Sequence, residues 1–309
     1  MAIDGCSKIT YWAGANAVDT TDYITNVSPK DTPFFSLIGS NTGNARRLDS
    51  VTDTQAAASA ANALVEGGTL DNTATTTRSF EYNYMQIFRK VIEVTGTQEV
   101  VAKYGGVKSE MKYQIMKKYK ELAQDVEKAF IQAASATGAS ATARSLDGLT
   151  ALVSTNTATV ATDSATWTGT SDANLAAYED LLNDLLDAMF ETGEAPDTVF
   201  VGGQQKRRIS KLSTKVTRNI DAMKKTQILS INVYDSDFGT VNVILDRYVP
   251  DNFILAVVRS GFRTSYLRRF NQFPLAKTSD SKRVAVLGEL TLGYDSQKLC
   301  GFVRAVGSL

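Results

Sequence analysis

Polar and apolar side chains alternate most regularly over "RSFEYNYMQIFRKVIEVT", residues 78–95, where Glu81 and Asn83 separate Phe80, Tyr82 and Tyr84. Period two is the signature of a strand with one buried face. Read as one strand, the segment would span about 55 Å at roughly 3.3 Å per residue, far beyond the usual strand. Ahead of it, a short strand-like piece at 46–52 leads into "DTQAAASAANALVEGGTLDNTATTT", which is small and polar. Together they predict a long hairpin reaching out from the body. A two-stranded hairpin is marginal alone in water, so this one needs another surface.

A helical period takes over in "KSEMKYQIMKKYKELAQDVEKAFIQAA", residues 108–134. Met111, Ile115, Leu122, Val126 and Phe130 recur at steps of four or seven and form one apolar stripe. Ser109 suits the N-cap, and Gly138 lies just beyond the end. The helix would be about 40 Å long at 1.5 Å per residue. An Ala/Thr/Ser-rich stretch follows, broken by "ARSLDGLTALV", and reads as loops around one short docking segment. A second helix is predicted over 174–192, with Leu175, Leu182, Leu185, Leu186 and Met189 inward. Its outer side is acidic: Glu179, Asp180, Asp184, Asp187 and Glu191. After Pro196, "TVFVGG" reads as a short strand and "QQKRRISKLSTKVTRNIDAMKK" as a basic run. "SINVYDSDFGTVNVILDRY" is a hairpin turning at 235–239, and "NFILAVV", "FRTSYLRRF" and "RVAVLGELTLGY" continue in strands. The class is α+β, long helices with antiparallel pairing.

Residues 1–44 hold no sustained period and read as an extended arm. Near its end, "SPKDTPFFSLIG" (28–39) sets Phe34, Phe35, Leu37 and Ile38 beside Pro29 and Pro33, which leave it too broken for a core helix. The segment is expected to dock on the protein's own long helix or on a neighbour. Each such side chain contributes about 1.5–3 kcal/mol when fully buried. On this reading, replacing Phe34 and Phe35 by Ala weakens assembly more than it changes the subunit's fold.

Composition removes several functions. Lys+Arg and Asp+Glu both number 33, so formal charge is zero, with no support for a dedicated nucleic-acid or membrane-surface binder. No apolar run approaches the roughly 18 residues of a membrane span, and "MAIDGCSKIT" lacks the regions of a signal peptide. Cys6 and Cys300 make neither a disulfide framework nor a zinc spacing, so reduced thiols in a cytosolic protein are expected, and the Asn26 sequon is idle. The chain contains no histidine, which removes Ser-His-Asp and Cys-His nucleophiles and the commonest metal ligand.

The remaining chemistry is thin. "VFVGGQQKRR" could cradle a phosphate at a helix start, but it lacks both GxGxxG and GxxxxGK. The basic run at 206–225 could touch DNA phosphates, although such a run more often meets acid. The acid is at hand on the 174–192 helix, so Glu179, Asp180, Asp184 and Asp187 are candidate partners for Lys206, Arg207, Arg208 and Lys211, within or between subunits. Asp235 and Asp237 lack the calcium-loop pattern and suit a turn. No catalytic, cofactor or metal residue is assigned.

"VSPKDTPFFSLIG", "TGTQEVVAKYG", "KSEMKYQIMKKYKELAQDVEKAFI", "PDTVFVGGQQKRRIS", "VYDSDFGTVNVILDRY" and "PLAKTSDSKRVAVLGELTL" resemble, in order, segments of the major head protein family of tailed bacteriophages. The resemblance covers most of the chain from Ser28 to Leu292. It implies the Hong Kong 97-type capsid fold, with an N-arm at 1–44 and an extended E-loop hairpin at 45–95. The peripheral P-domain with its long spine helix would hold 96–155 and 259–296, and the axial A-domain 156–258 and 297–309. The implied function is a major capsid protein that self-assembles into the icosahedral head of a tailed double-stranded-DNA phage. An encapsulin-like bacterial compartment and a cytosolic α+β enzyme are the alternatives.

The implied partners are further copies of the chain in hexamers and pentamers, and packaged DNA held by enclosure. Portal, scaffold and decoration proteins are further candidates, and no membrane is involved. The location would be the virion, assembled in the bacterial cytoplasm. Phe34, Phe35, Leu37, Ile38, Phe80, Tyr82 and Tyr84 are the candidate subunit-interface residues. Some capsids of this fold lock themselves with an isopeptide bond from an E-loop lysine, but no lysine occurs here between Lys30 and Lys90.

Overall fold

The computed structural model describes residues 31–53, 55–69, 76–101, 107–161, 165–169, 171–212, 232–277 and 279–306. Cys6, most of the expected arm and positions 213–225 of the basic run therefore lie outside the described residues. The chain runs α1 (Pro33–Leu37), β1 (Gly39–Thr42), β2 (Arg47–Thr52), β3 (Ser79–Tyr84), β4 (Gln86–Thr95), α2 (Gly96–Val100) and α3 (Glu110–Gln132). It continues through α4 (Leu149–Leu152), β5 (Thr157–Ala161), α5 (Ala165–Thr168), α6 (Asp172–Thr192), β6 (Thr198–Val201) and α7 (Gly203–Leu212). The last strands are β7 (Val233–Ser236), β8 (Gly239–Leu245), β9 (Phe253–Val257), β10 (Phe262–Pro274), β11 (Ser281–Tyr294) and β12 (Cys300–Val306).

Two sheets organise the body. One has the order β1-β10-β11-β4, the other β5-β12-β9-β6-β8-β7. The predicted helices form where their stripes require. Ser109 caps α3 by accepting from the Lys112 N–H, and Leu122, Val126 and Phe130 are buried. Ser171 caps α6 in the same way through Asn174, with Leu175, Leu182, Leu185, Leu186 and Met189 inward. The six-stranded sheet is covered on both faces, which explains the unbroken burial of β6 and β9. Phe200, Leu255 and Val257 point into a core shared with α1, α3, β4, β10 and β11. Their neighbours Val199, Val201, Ile254 and Ala256 face α6 and α7.

The expected single strand at 78–95 is instead two strands in different sheets. β3 pairs only with β2, whereas β4 pairs with β11 from Thr95↔Ser281 to Gln86↔Leu290. Between them Asn83, Tyr84 and Met85 are buried in succession, which breaks the alternation. The chain rolls there, so even-numbered side chains face solvent in β3 (Phe80, Tyr82) and the core in β4 (Phe88, Ile92, Val94). Residues 39–42, counted with the arm from sequence, pair in parallel with β10.

Candidate functional site

The candidate site is read from three features of the described residues: the arm root, the hairpin and an exposed sheet face. At the arm root, Pro33 opens α1, but Thr32 supplies no side-chain cap. Glu127 of α3 replaces it: its two carboxylate oxygens accept the Phe34 and Phe35 N–H groups at 2.7 Å each. Phe34 is 1% exposed and meets Phe130 of α3, Phe200 of β6 and Phe262 of β10 edge-on, with ring centroids 6.3, 5.3 and 6.4 Å away. Such pairs add about 0.5–1.5 kcal/mol beyond area burial.

Of the two expected docking sites the segment takes the protein's own long helix, and the interface role is corrected for its buried residues. Phe34 and Ile38 belong to the subunit's own core, and Phe35 and Leu37 pack half-buried against it. A partner copy cannot reach the first two. Prolines alone did not forbid a short helix here, because Pro33 sits at its first turn, where its missing N–H costs nothing.

The hairpin is clamped at its base and open above it. The buried Asn83 amide donates to the Asp147 and Leu292 carbonyls and accepts the Asp147 N–H at 2.7 Å. The Ser50 hydroxyl donates to the Asp295 carbonyl, and Glu81 accepts the Gln297 N–H. Tyr84, 9% exposed, belongs to this base and is removed from the interface candidates. Beyond it the register places Val51 opposite Phe80. Phe80 is 71% exposed and Tyr82 49%, with Arg47 stacked 4.9 Å from the Tyr82 ring centroid. Leu64 and Val65 stand exposed at the tip, beside a turn in which Gly67 adopts φ +79° and the Gly68 N–H returns to the Val65 carbonyl.

The second apolar surface was not anticipated. Val91, Ala285 and Phe273 lie in one row across β4, β11 and β10. Val91 and Phe273 are exposed, as are neighbouring Ile87 and Leu275. The signal was present in the outward alternation of β4, but only the strand order shows that these residues share a face.

α7 divides its cations between the interior and the surface. Arg208 is buried, its guanidinium 4.6 Å from the Tyr178 ring centroid and donating to the Trp167 carbonyl. Lys206 donates to the Val243 carbonyl, and burial lowers its pKa. These contacts lie within the subunit, and the pairing of Lys206, Arg207, Arg208 and Lys211 with the α6 carboxylates stays an expectation. Glu179 lies within hydrogen-bond reach of the Tyr234 hydroxyl, while Asp180, Asp184, Asp187, Arg207 and Lys211 remain on the surface.

Of the glycine pair at the start of α7, Gly202 is closed in, since a Cβ there would lie 2.7 Å from an Asp251 carboxylate oxygen, whereas Gly203 borders open space. Asp235 and Asp237 belong to the β7–β8 hairpin, and Gly239 takes φ +128° where that turn closes. No group of three or more potential metal ligands is present among the described residues.

Comparison with known proteins agrees with this architecture. The chain is 33% identical over 120 residues to the major capsid protein of Escherichia phage Phieco32, a match spanning 39% of this chain and about a third (34%) of that protein. The capsid subunit of cyanophage A-1(L) has the same fold, with a TM-score of 0.68 at 12% identity over 94% of this chain and 97% of that one. The SrpI encapsulin of Synechococcus elongatus shares it at TM-score 0.57 and 12% identity, covering 94% and 92% of the two chains. Since the model of the SU10 major capsid protein family matches residues 8–307, nearly the whole length, this chain belongs to that family.

Proposed function

We propose that this chain is the major capsid protein of a tailed bacteriophage and closes with copies of itself, as hexamers and pentamers, into an icosahedral head. The observation that carries the reading is the hairpin: Val51, Phe80, Tyr82, Leu64 and Val65 stay exposed on an arm that a lone subunit leaves uncovered. The matching surface is the apolar row at Val91, Ala285 and Phe273. Laying one subunit's hairpin across the next subunit's sheet buries both. In this assignment β2 and β3 are the E-loop and α3 is the P-domain spine helix, backed by the four-stranded sheet. The six-stranded sheet with α6 and α7 is the A-domain. The protein's role is structural rather than catalytic, and the enclosed DNA is contained rather than gripped. The encapsulin likeness concerns fold alone, whereas family membership favours the phage head.

Electron microscopy of the purified full-length chain tests the reading. Closed shells are the expected result, and a chain that stays monomeric at all concentrations overturns it.

The shells are also expected to fall apart into single 33.5 kDa chains on denaturing gels. Lys90, the first lysine after Lys30, lies in β4 rather than on the hairpin, with its ammonium 2.7 Å from Asp125. The segment joining β2 to β3 contains no lysine of its own to attack a neighbour's side chain. A ladder of oligomers surviving boiling in detergent and reductant contradicts this.

A further inference from the structure

Among the described residues, three carboxylates are buried: Glu127, Asp246 and Glu289. Glu289 is held between Arg144 and Arg268 at 2.5 and 2.8 Å. The other two, Glu127 and Asp246, have no ion-pair partner among the described residues. Both Glu127 oxygens are occupied by the α1 N–H groups, and Asp246 accepts the Tyr248 N–H at 2.8 Å. The second Asp246 oxygen is buried and has no donor among the described groups. The fold brings the two carboxylates to one junction: the Asp246 N–H donates to the Val201 carbonyl beside Phe200, whose ring meets Phe34 on Glu127, and the Gln132 side chain of α3 donates to the Tyr248 carbonyl. Two buried carboxylates at one dry junction, with no cation paired to either among the described residues, are best served by a proton between them, because neither can donate otherwise.

We propose that a single proton shared by Glu127 and Asp246 latches the arm root and the spine helix to the end of β8, and that its loss in alkali releases α1. The three parts that meet at this proton are distant in sequence, and each belongs to a different element: α1, α3 and the segment after β8.

The surroundings leave the pair to itself. From α3 come Asp125, which is held by Lys90 of β4, and Lys128. Arg247 and Tyr248 follow Asp246, and Asp31 precedes α1. Burial first, then the Asp246 charge, pushes Glu127 up to about 8 against the lowering effect of its two N–H partners. Asp246 is raised as well, chiefly by burial. No cation is among the causes at either carboxylate.

The direction of the pH dependence follows. An unfolded chain gives up this proton near the ordinary Glu value of 4.5, whereas the folded pair keeps it to about 8. The pair's contribution is therefore fully present below pH 4.5 and is lost as pH rises through about 8. One retained proton corresponds to a tenfold rise in the unfolding constant per pH unit across that window, or about 1.4 kcal/mol.

The latch lies within one subunit, so its proton can be counted whether or not shells form. Denaturant unfolding of the full-length chain is measured from pH 5 to 9 beside Asp246→Asn. Asparagine keeps an oxygen for the Tyr248 N–H and offers Glu127 a permanent donor. The ratio of wild-type to variant unfolding constants is expected to rise close to tenfold per pH unit up to about pH 8. A pH-independent ratio overturns the shared proton. If the Asn variant does not fold, Glu127→Gln replaces it in the same comparison, with the same expectation. Hydrogen exchange reports on release: protection at Phe34 and Phe35, corrected for base catalysis, is expected to fall above pH 8 in the wild type and to persist in Asp246→Asn. Protection that persists equally in both sinks the release of α1.

Discussion

Phe34→Ala is expected to destabilise the subunit by about 3–5 kcal/mol, enough to unfold a marginal domain. The ring fills the junction where α3 and both main sheets meet, against Phe130, Phe200 and Phe262. Truncation leaves a cavity that cannot collapse easily, because its walls are regular elements fixed by their own hydrogen bonds. Denaturant unfolding of the purified chain reads the loss directly, and far-ultraviolet circular dichroism should lose its native signal at moderate temperature. A variant subunit as stable as wild type, yet unable to assemble, would restore the interface role that the sequence suggested. The shared α1 cap adds to the loss: once the Phe34 anchor goes, the two N–H groups held by Glu127 are easily freed.

Phe80→Asp is expected to do the reverse. The ring is 71% exposed on the lone subunit, so its replacement should change subunit stability by no more than about 1 kcal/mol. In a closed head the same position is proposed to lie against a neighbour's apolar row, and a carboxylate buried there without a partner costs several kcal/mol at every contact. Because the contact repeats around the shell, assembly should fail outright at concentrations where wild type closes. Sedimentation and electron microscopy of the folded variant decide it: free subunits or small oligomers are expected. Intact heads would show that the hairpin face is not an assembly surface. The two substitutions, one acting on the fold and the other on assembly, distinguish residues that the sequence grouped together.

That grouping shows where local pattern stops being informative. "TPFFSLIG" and "SFEYNY" are both short apolar runs beside breakers or polar residues, and composition does not tell which one a subunit buries in itself. Likewise the basic run at α7 mixes Arg208, used inside against Tyr178, with Arg207, left at the surface. Adjacent positions on one helix differ in direction by about 100°. Their fates are set by what lies opposite, in this case α6 and Trp167 of α5.

By itself the sequence determined α3 with its Ser109 cap, α6, the β7–β8 hairpin and the presence of an unsupported hairpin near residue 80. Each is written in a local period or a neighbouring polar group, so no distant partner is needed to read it. Only the tertiary structure decided that the alternating run divides at Met85, that Phe34 is core and that Val91 and Phe273 form one face. It also decided that Asn83 clamps the hairpin and that Glu127 meets Asp246. These are pairings across many intervening residues, and their energy comes from desolvation and contact at a junction that exists only once the sheets have closed around it.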